Sequence, residues 1–301
     1  MALTDDMLAC IRALAENRIQ DAKKYATIAC INDNSKKNEG KTEYYRKLLE
    51  NGTDKMFELP MNLKGLLNMI DVSDFREKRY YLSELQRKVF SEIERGYDVT
   101  IKMLELGIPY LNSTLIYGEP GTGKTEFAKY AAYKLGLPFA YVNFSYLINS
   151  YMGETSKNIR TVFDYCKGQK CVLLLDEIDC IGLARSGSKG ADGELARTTI
   201  SLMQALDELV DGQIVIGATN RMDRLDKALL RRFQRSYQFN RFEKQDDKVE
   251  MIFNFIQDVG MSFNVESIIE YAKQDHTQAE IMKHMIECIA CAVIENKEIV
   301  L

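Results

Sequence analysis

The sequence predicts an α/β fold: a parallel five-stranded sheet with helices on both faces, a small C-terminal helical bundle and an N-terminal helical region. Two features carry the prediction. Short apolar runs alternate with helical stretches, as a sheet linked by crossover helices requires. The runs are apolar throughout rather than at every second position, which fits strands covered on both faces.

From the start of the chain, Thr4 can cap a helix whose first turn carries Asp5 and Asp6, matched to the positive end of the helix dipole. Leu3, Met7, Ile11 and Leu14, then Ile19, Ala22, Ala26 and Ala29, form a stripe at helical spacing. The stripe either packs on a partner helix or the main body, or binds another protein. Asn32 to Lys41 is polar and reads as a loop, and a short second helix around Tyr44 to Glu50 completes a hairpin. Ser83-Glu84-Leu85-Gln86 is a capping-box pattern opening a helix with Leu85, Val89 and Ile93 on one face. Gly96 is expected to break that helix, with Asp98 capping a second segment to Leu106. The strands follow as Thr114–Tyr117, Phe139–Asn143, Cys171–Asp176, Gln213–Ala218 and Ser236–Phe239. After Phe242, Lys248–Val259, Val265–Gln274 and Gln278–Asn296 read as three helices.

Composition excludes several classes. The 301 residues carry 40 Lys+Arg against 44 Asp+Glu, a net charge of -4. That length suggests about two domains and buries roughly three-quarters of the unfolded surface, so no disulfide or metal staple is needed. Apolar content of 46% and charged content of 28% are those of an ordinary globular chain. The longest strictly apolar run, Cys288 to Ile294, is far short of the ~18 residues of a membrane span. Met1 to Asp6 offers no basic region before an apolar stretch, so no signal peptide is expected and the expected location is cytoplasmic. A pI near 5.5 disfavours coating nucleic acid by bulk charge, though a local basic groove stays open. The cysteines are scattered, and only His276 and His284 could join them, so no metal–cysteine site is expected.

The chemistry starts at Gly118-Glu119-Pro120-Gly121-Thr122-Gly123-Lys124-Thr125, which follows the first strand and opens a helix. This is G-x-x-x-x-G-K-[ST] in the context that gives it meaning, a P-loop NTPase signature. Glycines let backbone N–H groups turn inward around phosphate oxygens, and the helix N-terminus adds its dipole. Lys124 can reach the β/γ phosphates of ATP and the Thr125 hydroxyl can ligate Mg²⁺. Cys171 to Glu177 is an apolar strand ending in two carboxylates at the sheet edge where such folds bind ligands. Asp176 can hold the magnesium through water, and Glu177 can polarise the attacking water. Alone, two acids after a strand are a solvated loop; beside the phosphate loop they are a hydrolytic pair.

From about Ser83 to the C-terminus these residues resemble an AAA+ ATPase, of the AAA group that acts on proteins, with the two motifs as its Walker A and Walker B. Gly217-Ala218-Thr219-Asn220-Arg221 is similar to the family's sensor-1 strand end, which implies that Asn220 contacts the γ-phosphate or the water. Leu225 to Arg235 resembles the second region of homology, without its usual Pro-Gly and with Gln234 in place of an Asp. The best match makes Arg232 and Arg235 arginine fingers, with the choice between Arg231 and Arg232 open by one position. A finger supplied by a neighbour neutralises charge on the transferred phosphoryl group, so the resemblance implies a homo-oligomeric ring, usually a hexamer. Ser150 to Glu154 resembles the pore loop, whose Tyr151 and Met152 would grip an extended polypeptide in the central channel; Arg185 to Gly190 sits where a second pore loop lies. Gln278-Ala279-Glu280-Ile281 resembles the Gly-Ala-Asp motif of the lid, with Ala279 where other branches use a sensor arginine and His276 close by.

The expected organisation is a helical region over 1–82 for substrate or adaptor recognition, a large ATPase subdomain over 83–242 and a lid over 243–301. The leading reading is an ATPase that threads and remodels protein substrates. A nucleic-acid motor or loader, and an ATP-gated assembly scaffold with negligible turnover, are the rivals. The intact Glu177 argues against the second. No H-E-x-x-H occurs, so the sequence carries no zinc-peptidase motif of that type.

Overall fold

A computed structural model describes residues 3–16, 18–33, 35–38, 40–51, 59, 63–144, 155–167, 169–180, 191–209 and 212–301. The chain opens with α1 (Asp5–Ala15), α2 (Ile19–Asn32) and α3 (Lys41–Asn51). Thr4 caps α1 by accepting from the Met7 N–H. The stripe read from the sequence is divided between two helices: the Glu16 N–H bonds to the Arg12 carbonyl and the Arg18 N–H to the Ala13 carbonyl, which closes α1 in a tight turn. The two helices meet through small buried residues, Ala13 and Ala22, with an Asn32 to Asp6 hydrogen bond of 2.9 Å. Leu3 and Ile11 are 56% and 51% exposed, so the α1 stripe faces outward.

The sheet elements follow: β1 (Asn68–Ile70), α4 (Glu84–Glu105), β2 (Asn112–Tyr117), α5 (Lys124–Leu135), β3 (Phe139–Asn143), α6 (Thr155–Cys166), β4 (Val172–Asp176), α7 (Ala191–Asp207), β5 (Ile214–Thr219), α8 (Lys227–Leu230) and β6 (Arg235–Gln238). Among the described residues six strands lie in the order β1-β3-β4-β5-β2-β6. β2 to β6 pair in parallel, as the sequence predicts. The sixth is an addition: β1 runs antiparallel to β3, with Asn68 opposite Tyr141. Residues 63–82, which the sequence groups with the N-terminal region, thus carry the edge of the sheet. A three-residue Asn-Met-Ile strand leaves no readable apolar run.

Strand β4 shows why these segments are apolar throughout. Leu173 and Leu175 join a core with Phe163, Leu202 and Leu206 of α6 and α7. Val172 and Leu174 join the opposite core with Val89 and Ile93 of α4 and Phe127 and Ala131 of α5. Helix α4 has the expected capping box, Ser83 with Gln86, but it is not broken at Gly96. That glycine makes room for a neighbour: a Cβ there would lie 2.8 Å from Asn112 Oδ1, whose Nδ2 donates to the Ile93 carbonyl at 2.8 Å.

Helix α3 docks on the far end of α5. Tyr44 is buried and stacks on Tyr133 at 5.8 Å and 6°, and its hydroxyl reaches the Leu137 carbonyl at 3.4 Å. A Cβ on Gly136 would fall 2.1 Å from Lys47 Cβ, so a glycine is needed at that approach.

Helices α9 (Gln245–Val259), α10 (Val265–Tyr271) and α11 (Gln278–Glu295) close the chain around Ile252, Ile256, Ile268, Ile281 and Met285. The segment ahead of α4 ties this bundle to the sheet: Arg79 pairs with Asp258 at 2.5 Å, lies 4.9 Å over Phe255, and Tyr81 donates to Asp247 at 2.7 Å. Among the described residues no helix is long and apolar enough to cross a membrane.

Candidate active site

Parallel register assembles the site. Tyr117 pairs with Thr219, and Leu175 with Gly217, so the ends of β2, β4 and β5 reach one edge of the sheet together. The loop from Gly118 to Thr125 leaves β2 there and turns into α5. Gly118 sits at φ 143°, where a Cβ would fall 2.1 Å from the Phe239 carbonyl oxygen, so no side chain fits. Gly123, at φ 82°, is the N-cap of α5.

Lys124 is 8% exposed, and its Nζ donates to the carbonyls of Gly118 at 2.9 Å and Glu119 at 2.8 Å. Burial pulls its pKa down, while Asp176 and Asp179 push it back up. Thr125 Oγ1 donates to Asp176 Oδ2 at 3.1 Å, so the two residues expected to hold magnesium are adjacent. Burial raises the Asp176 pKa, against the Glu177 N–H and the Thr125 hydroxyl, which favour its ionised form. The Glu177 N–H donates to Asp176 Oδ1 at 2.9 Å. Glu177 itself has φ 55°, a left-handed backbone that costs a non-glycine residue roughly 1–2 kcal/mol. Strain of this kind collects at functional sites. Asn220 follows β5, whose end is fixed by Thr219: its hydroxyl donates to Asp179 at 2.7 Å and accepts from the Arg221 N–H at 2.9 Å.

The lid bundle closes the other side. The Ala279 N–H, in the first turn of α11, donates to the Gly121 carbonyl at 3.0 Å. Arg241 pairs with Glu119 at 2.7 Å and with Asp275 at 3.1 Å, linking the phosphate loop to the lid. Between them lies a cleft of about 820 Å³, lined by Gly121 to Thr125, Asp176, Glu177 and Asn220. Its lining also takes apolar residues from two sources, Phe242, Met251, Phe255 and Met282 of the lid side and Phe75, Tyr80 and Tyr81 ahead of α4, with Arg76, Arg79 and Gln86 among them. Sequence reasoning missed this last group, although three aromatic residues over 75–81 are a visible signal. His276 stacks on Tyr271 at 5.0 Å and contacts Gln274 at 3.0 Å, and it does not line the cleft.

The arginines stand apart from this cleft. Arg232 makes a bidentate pair with Asp207, at 3.2 and 3.1 Å, and donates to the Ala228 carbonyl at 2.9 Å. Arg235 bonds to Asn112 Oδ1 and the Glu92 carbonyl, inside its own subunit. Arg231 is exposed; its backbone N–H donates to the Lys227 carbonyl at 3.3 Å, and its side chain makes no hydrogen bond or ion pair among the described residues. Tyr151 and Met152, with the rest of Ser150 to Glu154, and Arg185 to Gly190, lie outside the described residues.

A phosphate loop with a buried lysine, two acidic residues and a polar sensor around one cleft defines a nucleotide-hydrolysing P-loop protein. Residues 114–241 match the ATPase family associated with various cellular activities (AAA). An uncharacterized AAA family ATPase, y4kL, of Sinorhizobium fredii is 30% identical over 300 residues, 95% of this chain and 86% of that protein. The chain therefore belongs to the AAA family, and it is an ATPase. It is also 36% identical over 192 residues to a 26S proteasome regulatory subunit 8 homolog of Schizosaccharomyces pombe, 60% of this chain and 48% of that one. The peroxisomal ATPase PEX6 of Eremothecium gossypii is 41% identical over 150 residues, 48% of this chain and 15% of that protein. The chain thus spans about half the length of the proteasome subunit and a small part of PEX6.

Proposed function

We propose that the protein uses ATP hydrolysis at this cleft to remodel, unfold or disassemble protein substrates, working as a homo-oligomeric ring, most simply a hexamer. One observation carries the reading: the phosphate loop, Asp176, Glu177 and Asn220 line a single cleft that the lid also touches. The relatives, a proteasome regulatory subunit and a peroxisomal ATPase, favour a protein as the substrate.

In this mechanism the N–H groups of Gly121 to Thr125 hold the triphosphate, and Lys124 exchanges two loop carbonyls for phosphate oxygens. Thr125 and Asp176 present adjacent hard oxygen donors, which suit Mg²⁺. When bound, that ion neutralises phosphate charge. Glu177 polarises the attacking water and Asn220 orients it. Arg232, with Arg231 beside it, completes the site of a neighbouring subunit. Arg235, held by Asn112 and Glu92, sets the position of that segment. Tyr151 and Met152 grip the polypeptide. The helices α1 to α3 select the substrate or adaptor, supported by the outward stripe of α1, while 63–242, which includes the sheet edge at β1, and 243–301 act as ATPase subdomain and lid in the cytoplasm.

The test uses a fluorescent protein carrying an unstructured tail as substrate. ATP-dependent loss of fluorescence is expected from the wild type, and neither Glu177→Gln nor Tyr151→Ala should support it. Tyr151→Ala should keep its ATP turnover. Turnover stimulated by DNA and indifferent to Tyr151 would instead favour a nucleic-acid motor.

A further inference from the structure

Ser113 is fully buried in β2, a strand with neighbours on both sides. A buried hydroxyl has to be hydrogen-bonded, and this one is bonded twice to a single segment. It donates to the Arg232 carbonyl at 2.8 Å and accepts from the Gln234 N–H at 3.1 Å. The pairing of β2 with β6 begins one residue later, at Thr114 opposite Arg235. The side chain therefore extends that ladder past its backbone end and grips the chain on either side of Phe233.

A second contact pins the same three residues. Phe233 is buried, and a Cβ on Gly217 would lie 2.7 Å from its Cζ, so the ring rests on β5 where no side chain fits. The Arg232 guanidinium takes its direction from Asp207 and the Ala228 carbonyl. Its starting point, the Arg232 backbone, is fixed from β2. That strand ends at Tyr117, directly ahead of the phosphate loop. One strand thus carries a subunit's own phosphate loop at one end and holds the arginine segment at the other.

We propose that Ser113 is a positioning residue for the arginine finger: its hydroxyl fixes the Arg232 backbone, and its effect is felt in the cleft of the neighbouring subunit rather than in its own. The inference deepens the proposed function and rests on Arg232 as the arginine lent to a neighbour.

The test mixes two subunits and follows phosphate release. The lender, Lys124→Ala, keeps its arginines and has a disabled cleft. The receiver, Arg231→Ala with Arg232→Ala, keeps its cleft and lends no arginine. Adding Ser113→Ala to the lender should lower turnover of the mixture by about tenfold or more, since a misplacement of about 1 Å costs on the order of 100-fold. Adding it to the receiver should leave turnover unchanged. A merely structural role would weaken both mixtures alike, and that result, or no loss with the lender, overturns the proposal. If Ser113→Ala does not fold, Ser113→Cys, close in size and a weak hydrogen-bonding partner, takes its place with the same expectations. A parent mixture that regains no turnover overturns the lent arginine itself, and the proposal with it.

Discussion

The nucleotide cleft and the first helical pair place their apolar side chains in opposite ways. Around the cleft, β4 sends alternate leucines into two cores, and the polar site residues are carried on elements that are otherwise buried. In α1 and α2 the buried contacts are two alanines, while Leu3, Met7, Ile11 and Leu14 face outward. The first arrangement holds catalytic groups still. The second leaves an apolar face uncovered, which suits binding and contributes little to folding. Buried packing and exposed apolar surface thus fall in different parts of the chain, with α3 as the joint.

The sharpest way to break this comparison is at the phosphate loop. Lys124→Ala should lower ATP turnover by about 100-fold or more, measured as phosphate release, because a preorganised cationic donor is lost. At the joint, Tyr44→Ala should cost about 3 kcal/mol, since it removes a buried, stacked ring. Urea unfolding checks it, and a negligible change would mean that α3 is not held by that contact.

Asp176 gives a smaller effect of opposite sign. Its folded pKa is raised by burial, so its favourable contribution exists below the unfolded pKa and is lost as pH rises through the folded one. At neutral pH the ionised group therefore costs stability in the absence of magnesium and nucleotide. Asp176→Asn should melt a little higher than the wild type at pH 7, and that gap should close as the pH falls into the carboxylate range. Smallest of all is Thr4→Ala, worth about 1 kcal/mol within α1 alone. Hydrogen exchange should quicken in α1 and stay unchanged in the sheet.

Much of the fold was legible because each parallel strand is a short apolar run between helices, and Phe139–Asn143 matches its strand end to end. The site was legible for a related reason: Lys124, Thr125, Asp176 and Glu177 lie in short motifs whose neighbours in sequence fix their place in space. What was not legible depends on distant contacts. The continuity of α4 through Gly96 follows from Asn112, and β1 exists only because β3 offers an edge. The aromatic group from Phe75 to Tyr81 acquires its meaning when α9 and α11 bring residues to the same cleft. The arginines show the same limit: a motif places Arg235 beside Arg232, but Asn112 and Glu92 decide that its side chain turns inward.

If the proposed ring is right, the cleft hydrolyses ATP only when a neighbouring subunit completes it, and mixing two inactive variants checks this. Lys124→Ala has an intact arginine pair and a disabled cleft; the double substitution Arg231→Ala, Arg232→Ala has the reverse. Each alone should turn over ATP near background, and mixed subunits should regain a substantial fraction of wild-type activity. Wild-type turnover by the arginine double variant alone would contradict the account.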